Sequence, residues 1–556
     1  MMKKILICLL AFPFALGMTA QTKVEGEVTL GAGYGETAPY MAGANLKIEA
    51  NKFTIKPYLN IKGITPYNSG ELTSLDFIYA SSGNHYTQEQ EKEQKGYKLG
   101  YGVDVQYRLD DRNIFQASVD GVHTQRRFTG ERTEFLYAPD GTLLSSVQSL
   151  LSSPTLYRDE VNVQASYLHK TALKGESVLF QYNYSTDLDD DNSLQLITGA
   201  TGFGPDMYTR NIITSDIFIH RHELLLDWKR PLFVGNLNVG VRYINNFINS
   251  HDGQLLDDFV YNDSEFRHRT NTVGAYAGYG LKINAIEADA RVEYNYSRMN
   301  KKNLHDVIPQ ARFAYHLNPR NTLTASYAMR IVRPTLQYLY DDKVKGPYTL
   351  DFGNEELEGI HINRMALAYE LKTKRVDFTA TVAHTNVTDG FNAIWYEIEN
   401  VRFSTWGNEG VRKAIEITPE VLWRPVEGTK LRAAFTALWD ERIAYAINLR
   451  NPNWGFTGRA GWEQQLPLGF KLGIDAMISK GNTVDVYSHE GLNYVFGGNL
   501  ERSFLNDKLT ATLGYEYKKL PVIELTQGAP QSGYTGSIYV REHNPNTVNL
   551  ALSYKF

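Results

Sequence analysis

Two groups of residues in this sequence have side chains that could bind a metal ion. Asp187 and the run Asp189–Asp191 supply carboxylate oxygens of the kind Ca²⁺ prefers, although their spacing is not that of an EF-hand loop. His220 and His222 lie on one face of a predicted strand, with Glu223 beside them, and could form a metal pair. No third ligand is evident for the histidines. We therefore expect an acidic surface loop at the aspartates and no metal at either place.

Other kinds of chemical site receive less support from the residues. No glycine-rich loop follows a strand and opens a helix, so nucleotide binding is not indicated. Serine, histidine and acidic residues are present, but no spacing singles out a catalytic triad. The polar stretch from Thr87 to Gly96 is predicted to be a solvated loop. We expect no enzyme and no cofactor.

The N-terminal sequence has the layout of a secretory signal peptide. Lys3 and Lys4 precede an apolar segment at 5–17, and residues 18–20 form an acceptable cleavage site. The segment is too short to cross a bilayer, which takes about 20 residues. The sequence therefore predicts a signal peptide at 1–20 and a mature chain at 21–556. The one cysteine, Cys8, lies in this signal peptide, so we expect no disulfide and no cysteine-ligated metal.

Composition narrows the class of protein. The 556 residues include 45 Gly and 36 Tyr, with a mean hydropathy of −0.36 and no apolar run long enough for a membrane helix. Without Lys3 and Lys4, 55 basic residues stand against 62 acidic ones, a net charge of −7 that argues against a nucleic-acid partner. Two classes remain: a large secreted β protein and an outer-membrane β-barrel.

Strands with strict alternation recur along the chain. From Tyr97 to Leu109, apolar residues occupy the odd positions, and polar, charged or glycine residues such as Lys98 and Asp104 occupy the even ones. The polar face of the segment 286–296 includes Glu287, Asp289, Arg291 and Glu293. We expect these charges to face a wet or filled lumen, where they keep the interior polar. A substrate path is the alternative interpretation.

Short turn signals join these strands in pairs. The turns are predicted at 49–52, 109–112, 172–175, 230–235, 282–284, 318–321, 373–375, 425–428, 467–469 and 505–507. With a first strand near Val24 to Tyr34 and a last one at Val548 to Phe556, they predict about 22 antiparallel strands, with short turns on one side and long loops on the other.

Strand length favours the membrane class. Soluble strands typically run about 5–6 residues, whereas these alternate over the roughly 9–11 residues that a tilted membrane strand requires. Tyrosines near the strand ends suit the aromatic girdles at the two lipid boundaries. We therefore predict an all-β fold, a closed transmembrane antiparallel barrel with short periplasmic turns and long extracellular loops. Closure pairs the last strand with the first, because an open edge is not tolerated in lipid.

Seven residues form motifs that resemble those of a known family. The pattern is R-x-x-R-P at a strand end, then G-N-x-x-L in the next loop, then W-G-N-E-G at a later strand start. The residues are Arg330, Arg333, Pro334, Gly353, Asn354, Leu357 and Gly407. In this order they resemble the outer-membrane β-barrel family abundant in Bacteroidota, and with it the barrel portion of TonB-dependent receptors. The match departs from the family at Glu355 and Gly359, where prolines are favoured.

The resemblance implies further expectations about function and partners. Tyr554 and the terminal Phe556 look like the C-terminal signal that the outer-membrane barrel assembly machinery recognises. Family receptors have a plug domain, but here the first strand follows the predicted cleavage site closely, so we expect a barrel without its own plug. Its lumen would be filled by the long loops or by a separate plug or lid protein.

Two groups of functions remain open at this stage. The barrel is expected to serve in solute passage or as a subunit of a surface complex. A scaffold whose loops bind a ligand or partner, or an outer-membrane enzyme, is the alternative.

Overall fold

A computed structural model describes most of the chain. The described residues are 22–35, 40–64, 71–79, 82–204, 207–257, 259–300, 302–340, 343–346, 348–398, 401–446, 448–483, 488–519, 522–525, 534–542 and 546–556. The predicted signal peptide at 1–20 lies outside them. In these ranges the chain is almost entirely β-strand, with one short α-helix, Leu336–Leu339, and a 3-10 helix, Pro467–Gly469.

Strand bounds follow the alternating segments of the sequence. The strands are β1 Lys23–Tyr34, β2 Tyr40–Ala50, β3 Phe53–Ile64, β4 Glu71–Tyr79, β5 His85–Arg108, β6 Asn113–Tyr137, β7 Leu143–Lys170, β8 Ser177–Thr201, β9 Arg210–Leu232, β10 Gly235–Leu256, β11 Phe259–Ile283, β12 Ile286–Met299, β13 Lys302–Asn318, β14 Asn321–Val332, β15 Lys343–Gly346, β16 Thr349–Asp351, β17 Ile360–Lys372, β18 Val376–Ile398, β19 Val401–Trp423, β20 Thr429–Ala444, β21 Leu449–Gln465, β22 Phe470–Lys480, β23 Ser488–Glu490, β24 Asn493–Phe504, β25 Leu509–Lys519, β26 Val522–Leu525, β27 Tyr534–Glu542 and β28 Asn546–Lys555.

The strands close into a 22-stranded antiparallel barrel, which confirms the predicted fold. Six short strands, β4, β15, β16, β23, β26 and β27, lie outside the ring, in the connections on one side. Each of the ten predicted turns connects two consecutive ring strands at the other side. At one of them, the Asp110 carboxylate accepts hydrogen bonds from the backbone N–H groups of Arg112 and Asn113, at 2.8 and 2.7 Å. Local side-chain bonds of this kind are what make such turns visible in sequence.

The last strand closes the barrel against the first. β28 pairs with β1 from Lys555 opposite Glu27 to Val548 opposite Tyr34. Beyond the paired residues, the N–H of Phe556 donates to the Gly26 carbonyl at 3.0 Å, and the Gly26 N–H donates back at 3.1 Å. The chain end is therefore fixed by the ladder, which leaves no unpaired edge at this seam.

Strands on the long-loop side extend further than the sequence pattern predicted. β5 to β11 run to between 22 and 28 residues, well beyond a membrane crossing. The stretch Thr87 to Gly96, predicted to be a loop, belongs to β5, and the acidic run at 187–191 belongs to β8. Both loop predictions are wrong, because polar residues join a hairpin ladder readily when both strands project into water. The connections also pair with each other: β4 pairs with β5 and β27, and β26 with β23 and β27.

The outer face of the barrel is apolar in the part that faces lipid, as predicted. On β12 the register places Val292, half exposed, outward and its neighbours Arg291 and Glu293 inward. The same alternation exposes Leu550 and Leu552 on the outer face of β28. In the described ranges, neither helix has the length or apolarity needed to cross a bilayer.

Candidate functional site

Paired charges line the inner wall of the barrel. Glu293 is ion-paired with both Arg242 and Arg291, and the Arg291 guanidinium lies 3.7 Å from the centre of the Tyr276 ring. Glu287 forms ion pairs with Lys282 and Arg312. Lys98 and Asp104 occupy inner positions of β5, opposite Lys62 and Lys56. The predicted inward charges thus share one face, and those on β12 are neutralised by each other and by charges on β10, β11 and β13.

The two candidate metal sites are divided by the strand register. Successive residues of β8 point to opposite faces, so Asp187, Asp189 and Asp191 face inward while Asp190 faces outward. Arg158 binds the Asp187 carboxylate at 2.8 Å.

His220 and His222 both face outward. The Tyr184 hydroxyl lies 2.8 Å from His220 Nδ1, and the Tyr182 hydroxyl 2.9 Å from His222 Nδ1. Glu223 points inward and cannot join them. Across the described ranges, no group of three or more potential ligands is arranged to hold a metal.

Residues 333–359, which we name the mouth segment, connect β14 to β17 and hold five of the seven motif residues, while Arg330 lies just before them in β14. At its start, Arg333 forms an ion pair with the buried carboxylate of Asp306. His361, just beyond the segment, lies 3.0 Å from Asp389 and 3.8 Å from Asp306. These charges attach both ends of the mouth segment to the barrel rim.

Residues near both ends of the mouth segment pack onto the inner face of the barrel. Leu339 and Leu357 are fully buried with Phe266 of β11, and the Tyr338 ring meets Trp406 of β19 edge-on at 4.6 Å. The cluster also includes Leu336, Tyr340 and Phe391. Apolar burial on three different strands therefore holds the segment inside the ring.

The G-N-x-x-L motif shapes the part of the mouth segment that leads back to β17. A Cβ on Gly353 would lie 2.4 Å from the backbone N and Cα of Tyr340, so only glycine fits there. The Asn354 side chain donates to the Trp406 carbonyl at 2.7 Å, and its Oδ1 accepts from the Glu356 N–H at 2.9 Å. These bonds join the segment to β19.

The tip of the mouth segment reaches a distant part of the ring. The Tyr348 hydroxyl shares a hydrogen bond of 2.7 Å with Ser145 of β7, although β7 and β14 are separated in the ring by β8 to β13. Tyr348 is 4% exposed and packs against Tyr79, Tyr86 and Val147. Thr349 to Asp351 then pair with β19. A chain that touches β7, β11 and β19 must cross the mouth of the barrel.

Buried polar groups lie close to the contact between Tyr348 and Ser145. The Tyr86 hydroxyl donates to Glu134 at 2.7 Å, and Glu134 lies 3.2 Å from Arg132 in an almost dry environment. Burial raises the pKa of Tyr348 to about 12, with the nearby Glu134 carboxylate adding to the effect. Burial likewise places the pKa of Tyr86 well above its usual value. Both hydroxyls are therefore neutral at physiological pH.

Below the mouth, the inner wall borders a cavity of about 1660 Å³ near the short-turn side. Its lining on β19 and β20 includes Thr418, Glu420 and Arg432. Arg432 pairs with Glu463 at 2.9 Å, so charges of both signs line the cavity. Its size and mixed polarity suit hydrated solutes rather than an apolar ligand.

The structure gives five of the seven motif residues a common role. Arg333, Pro334, Gly353, Asn354 and Leu357 anchor or shape the mouth segment. Arg330 lies on the inner face of β14 and is exposed, while Gly407 lies in β19 opposite Asn392, beside Trp406. Tyr554 and Phe556 stack on the outer face with ring centres 6.4 Å apart. Sequence reasoning missed Ser145, Glu134 and Tyr348, and no spacing could have indicated them, because the contact joins residues 203 apart.

Comparison with known proteins establishes the family. The model of the outer membrane protein beta-barrel family matches residues 169–516. The chain belongs to this family. As a member of it, the barrel is an outer-membrane protein, and the predicted resemblance to TonB-dependent receptor barrels is confirmed. No curated protein matches the sequence.

Solved structures with the same fold align with 97% of the residues of this chain. They include the ferripyoverdine receptor of Pseudomonas aeruginosa (11% identity, 72% of that chain, TM-score 0.60). The ferric yersiniabactin uptake receptor FyuA of Yersinia pestis is similar (11% identity, 81% of that chain, TM-score 0.62). So is the copper transporter OprC (12% identity, 83% of that chain, TM-score 0.61). At such identities the likeness concerns the fold alone.

Proposed function

We propose that the barrel passes a small hydrated solute across the outer membrane and that its own mouth segment gates the entrance. The observation that supports this most strongly is the contact between Tyr348 and Ser145, which places the segment across the mouth. The polar inner wall and the cavity below it provide a route for a solute once the segment moves. The similar structures include a ferripyoverdine receptor, a ferric yersiniabactin uptake receptor and a copper transporter, and this similarity supports a role in solute uptake.

The gate hypothesis depends on how firmly each part of the segment is held. The leucine cluster near Phe266 holds residues close to both ends of the segment against β11, β18 and β19, whereas the tip is held through Tyr348 alone, by its aromatic and apolar contacts and one hydrogen bond. We therefore expect the tip to leave its site first, with the leucine cluster acting as the hinge-side anchor. In this proposal the chain has no catalytic role.

Liposome swelling with neutral sugars of graded size tests the proposal. Wild-type barrel should give little swelling, and a Tyr348→Ala variant should admit small sugars. Tyr445→Ala, which removes an exposed tyrosine from the turn between β20 and β21, serves as the matched control. If the opened variant swells no more than empty liposomes, the barrel is a scaffold. If the wild type swells as an open pore does, the segment does not close it.

Isolation from native outer membranes addresses the barrel-subunit alternative. A stoichiometric partner with a plug-like or lid-like domain would show that gating is supplied by another chain. Recovery of the barrel alone, together with low wild-type swelling, supports closure by its own mouth segment.

A further inference from the structure

The outer surface of β11 and β12 changes from apolar to cationic at one level. The outward residues of β11, counted from the short-turn side, are Ile283, Leu281, Tyr279, Ala277, Ala275 and Val273. At about 3.4 Å per residue and a tilt of about 40°, this run spans about 26 Å along the membrane normal, which matches the apolar band of such barrels. The next outward residues are Asn271, Arg269 and Arg267. The hydrocarbon boundary therefore lies just above Val273.

Two arginines occupy diagonal positions on adjacent strands at this boundary. Arg298 of β12 is the register partner of Asn271, and Arg269 is the next outward residue on β11. Both are exposed. Arg267 is occupied by Glu265 at 2.5 Å. In contrast, no carboxylate among the described residues pairs with Arg269 or Arg298. When the oxygen and nitrogen of the Asn245 amide are exchanged, the amide oxygen accepts a hydrogen bond from Arg269 Nε at 3.0 Å.

A depression of about 580 Å³ opens on the outer surface beside Arg269. It is lined by Tyr182, Tyr184, His220, His222, Asn245, Phe247 and Arg269. The hydrogen bonds from the two tyrosines occupy Nδ1 of each histidine and so fix both rings. Within the described chain, neither Nε2 has a hydrogen-bond partner. The depression thus combines aromatic walls with one guanidinium and two imidazole nitrogens at the level of lipid headgroups.

We infer that this surface binds a phosphorylated glycolipid of the outer leaflet, of the lipid A type. A guanidinium fork matches phosphate oxygens in geometry and charge. Two unneutralised arginines on adjacent strands suit a headgroup with two phosphates better than one with a single phosphodiester. The aromatic side chains at the same level pack against the sugar and acyl-chain region. This assignment is independent of the gate and of any solute.

The test measures binding of defined lipids to the purified, folded barrel by native mass spectrometry. The probes are bisphosphorylated lipid A, monophosphorylated lipid A and phosphatidylglycerol. Wild type should prefer the bisphosphorylated form, and Arg269→Gln/Arg298→Gln should weaken that binding by about tenfold or more. Arg269→Lys/Arg298→Lys should restore part of it, because the charge remains while the fork is lost.

A matched control removes two arginines at the opposite membrane surface. Arg320→Gln/Arg375→Gln changes the net charge equally in two short turns and should bind as the wild type does. Heat-modifiable gel migration confirms that each variant is folded. Equal binding by the Arg269/Arg298 and control variants would overturn the assignment. Equal or tighter binding of phosphatidylglycerol would overturn it as well, in favour of a phospholipid site.

Discussion

Truncating Tyr348 should open the barrel. Its ring lies 5.3 Å from that of Tyr86 and 5.7 Å from that of Phe203, and its hydroxyl bonds to Ser145. Tyr348→Ala removes these contacts while the Leu339 and Leu357 anchor remains intact. The variant should therefore fold as the wild type does and differ mainly at the mouth.

The size of the effect follows from burial. Replacing a buried aromatic residue with alanine costs about 3–5 kcal/mol in a packed core. We take the lower value of about 3 kcal/mol, because a mouth can collapse more easily than a core. Since 1.4 kcal/mol is about tenfold in an equilibrium constant, the ratio of open to closed barrels should rise about 100-fold.

Single-channel recording in planar bilayers measures this ratio directly. Wild type should show rare, brief openings, and Tyr348→Ala should show openings of similar conductance that occupy about 100 times more of the record. Tyr445→Ala should resemble the wild type, because that side chain is already exposed. An unchanged open fraction in Tyr348→Ala would refute the closure by this contact. A change of conductance without a change of open fraction would place the constriction elsewhere.

Three further predictions concern pH, the mouth segment and assembly. The pKa of Tyr348 is about 12 when buried and about 10 when exposed. The neutral tyrosine therefore stabilises the closed state fully below pH 10, and this stabilisation is lost as the pH rises towards 12. Channel recordings should show more opening over that interval and a smaller rise in Tyr348→Phe, and an identical rise in the variant would contradict the assignment. Gly353→Ala forces a Cβ onto the Tyr340 backbone, so limited proteolysis should cut the mouth segment faster than in a Gly204→Ala control, where nothing lies near the added Cβ and, as at Gly353, φ is not positive. Phe556→Ala removes the terminal outward ring, and the fraction of folded, heat-modifiable barrel in the outer membrane should fall; unchanged assembly would show that the ring is not part of the signal.

The ring of strands could be predicted because its rules are local. Each strand buries one face in lipid, so alternation is visible in segments such as 286–296, and side-chain bonds such as those of Asp110 mark the turns. The alternation rule wrongly predicted loops at 87–96 and 187–191. Hairpins above the membrane have water on both faces, so their strands lack the alternating apolar residues.

The mouth could not be predicted from the sequence. Its motif residues were visible, but their shared role depends on Phe266 of β11 and Trp406 of β19, which are far away in the chain. The partner of Tyr348 is Ser145, whose type and neighbours give no signal of a contact. Non-local packing of this kind depends on barrel curvature and loop length, which periodicity does not encode.

The most direct test of a mouth closed by its own segment is thiol labelling from outside the cell. Thr418 lies on the inner wall, and Cys8 is the one natural cysteine, in the predicted signal peptide. Thr418→Cys can be exposed on whole cells to a maleimide polymer too large for general porins, with Tyr445→Cys as the fully accessible reference. Closure predicts slow labelling of Thr418→Cys alone and fast labelling when Tyr348→Ala is added. Labelling of Thr418→Cys as fast as the Tyr445→Cys reference, without the Tyr348 change, would contradict it.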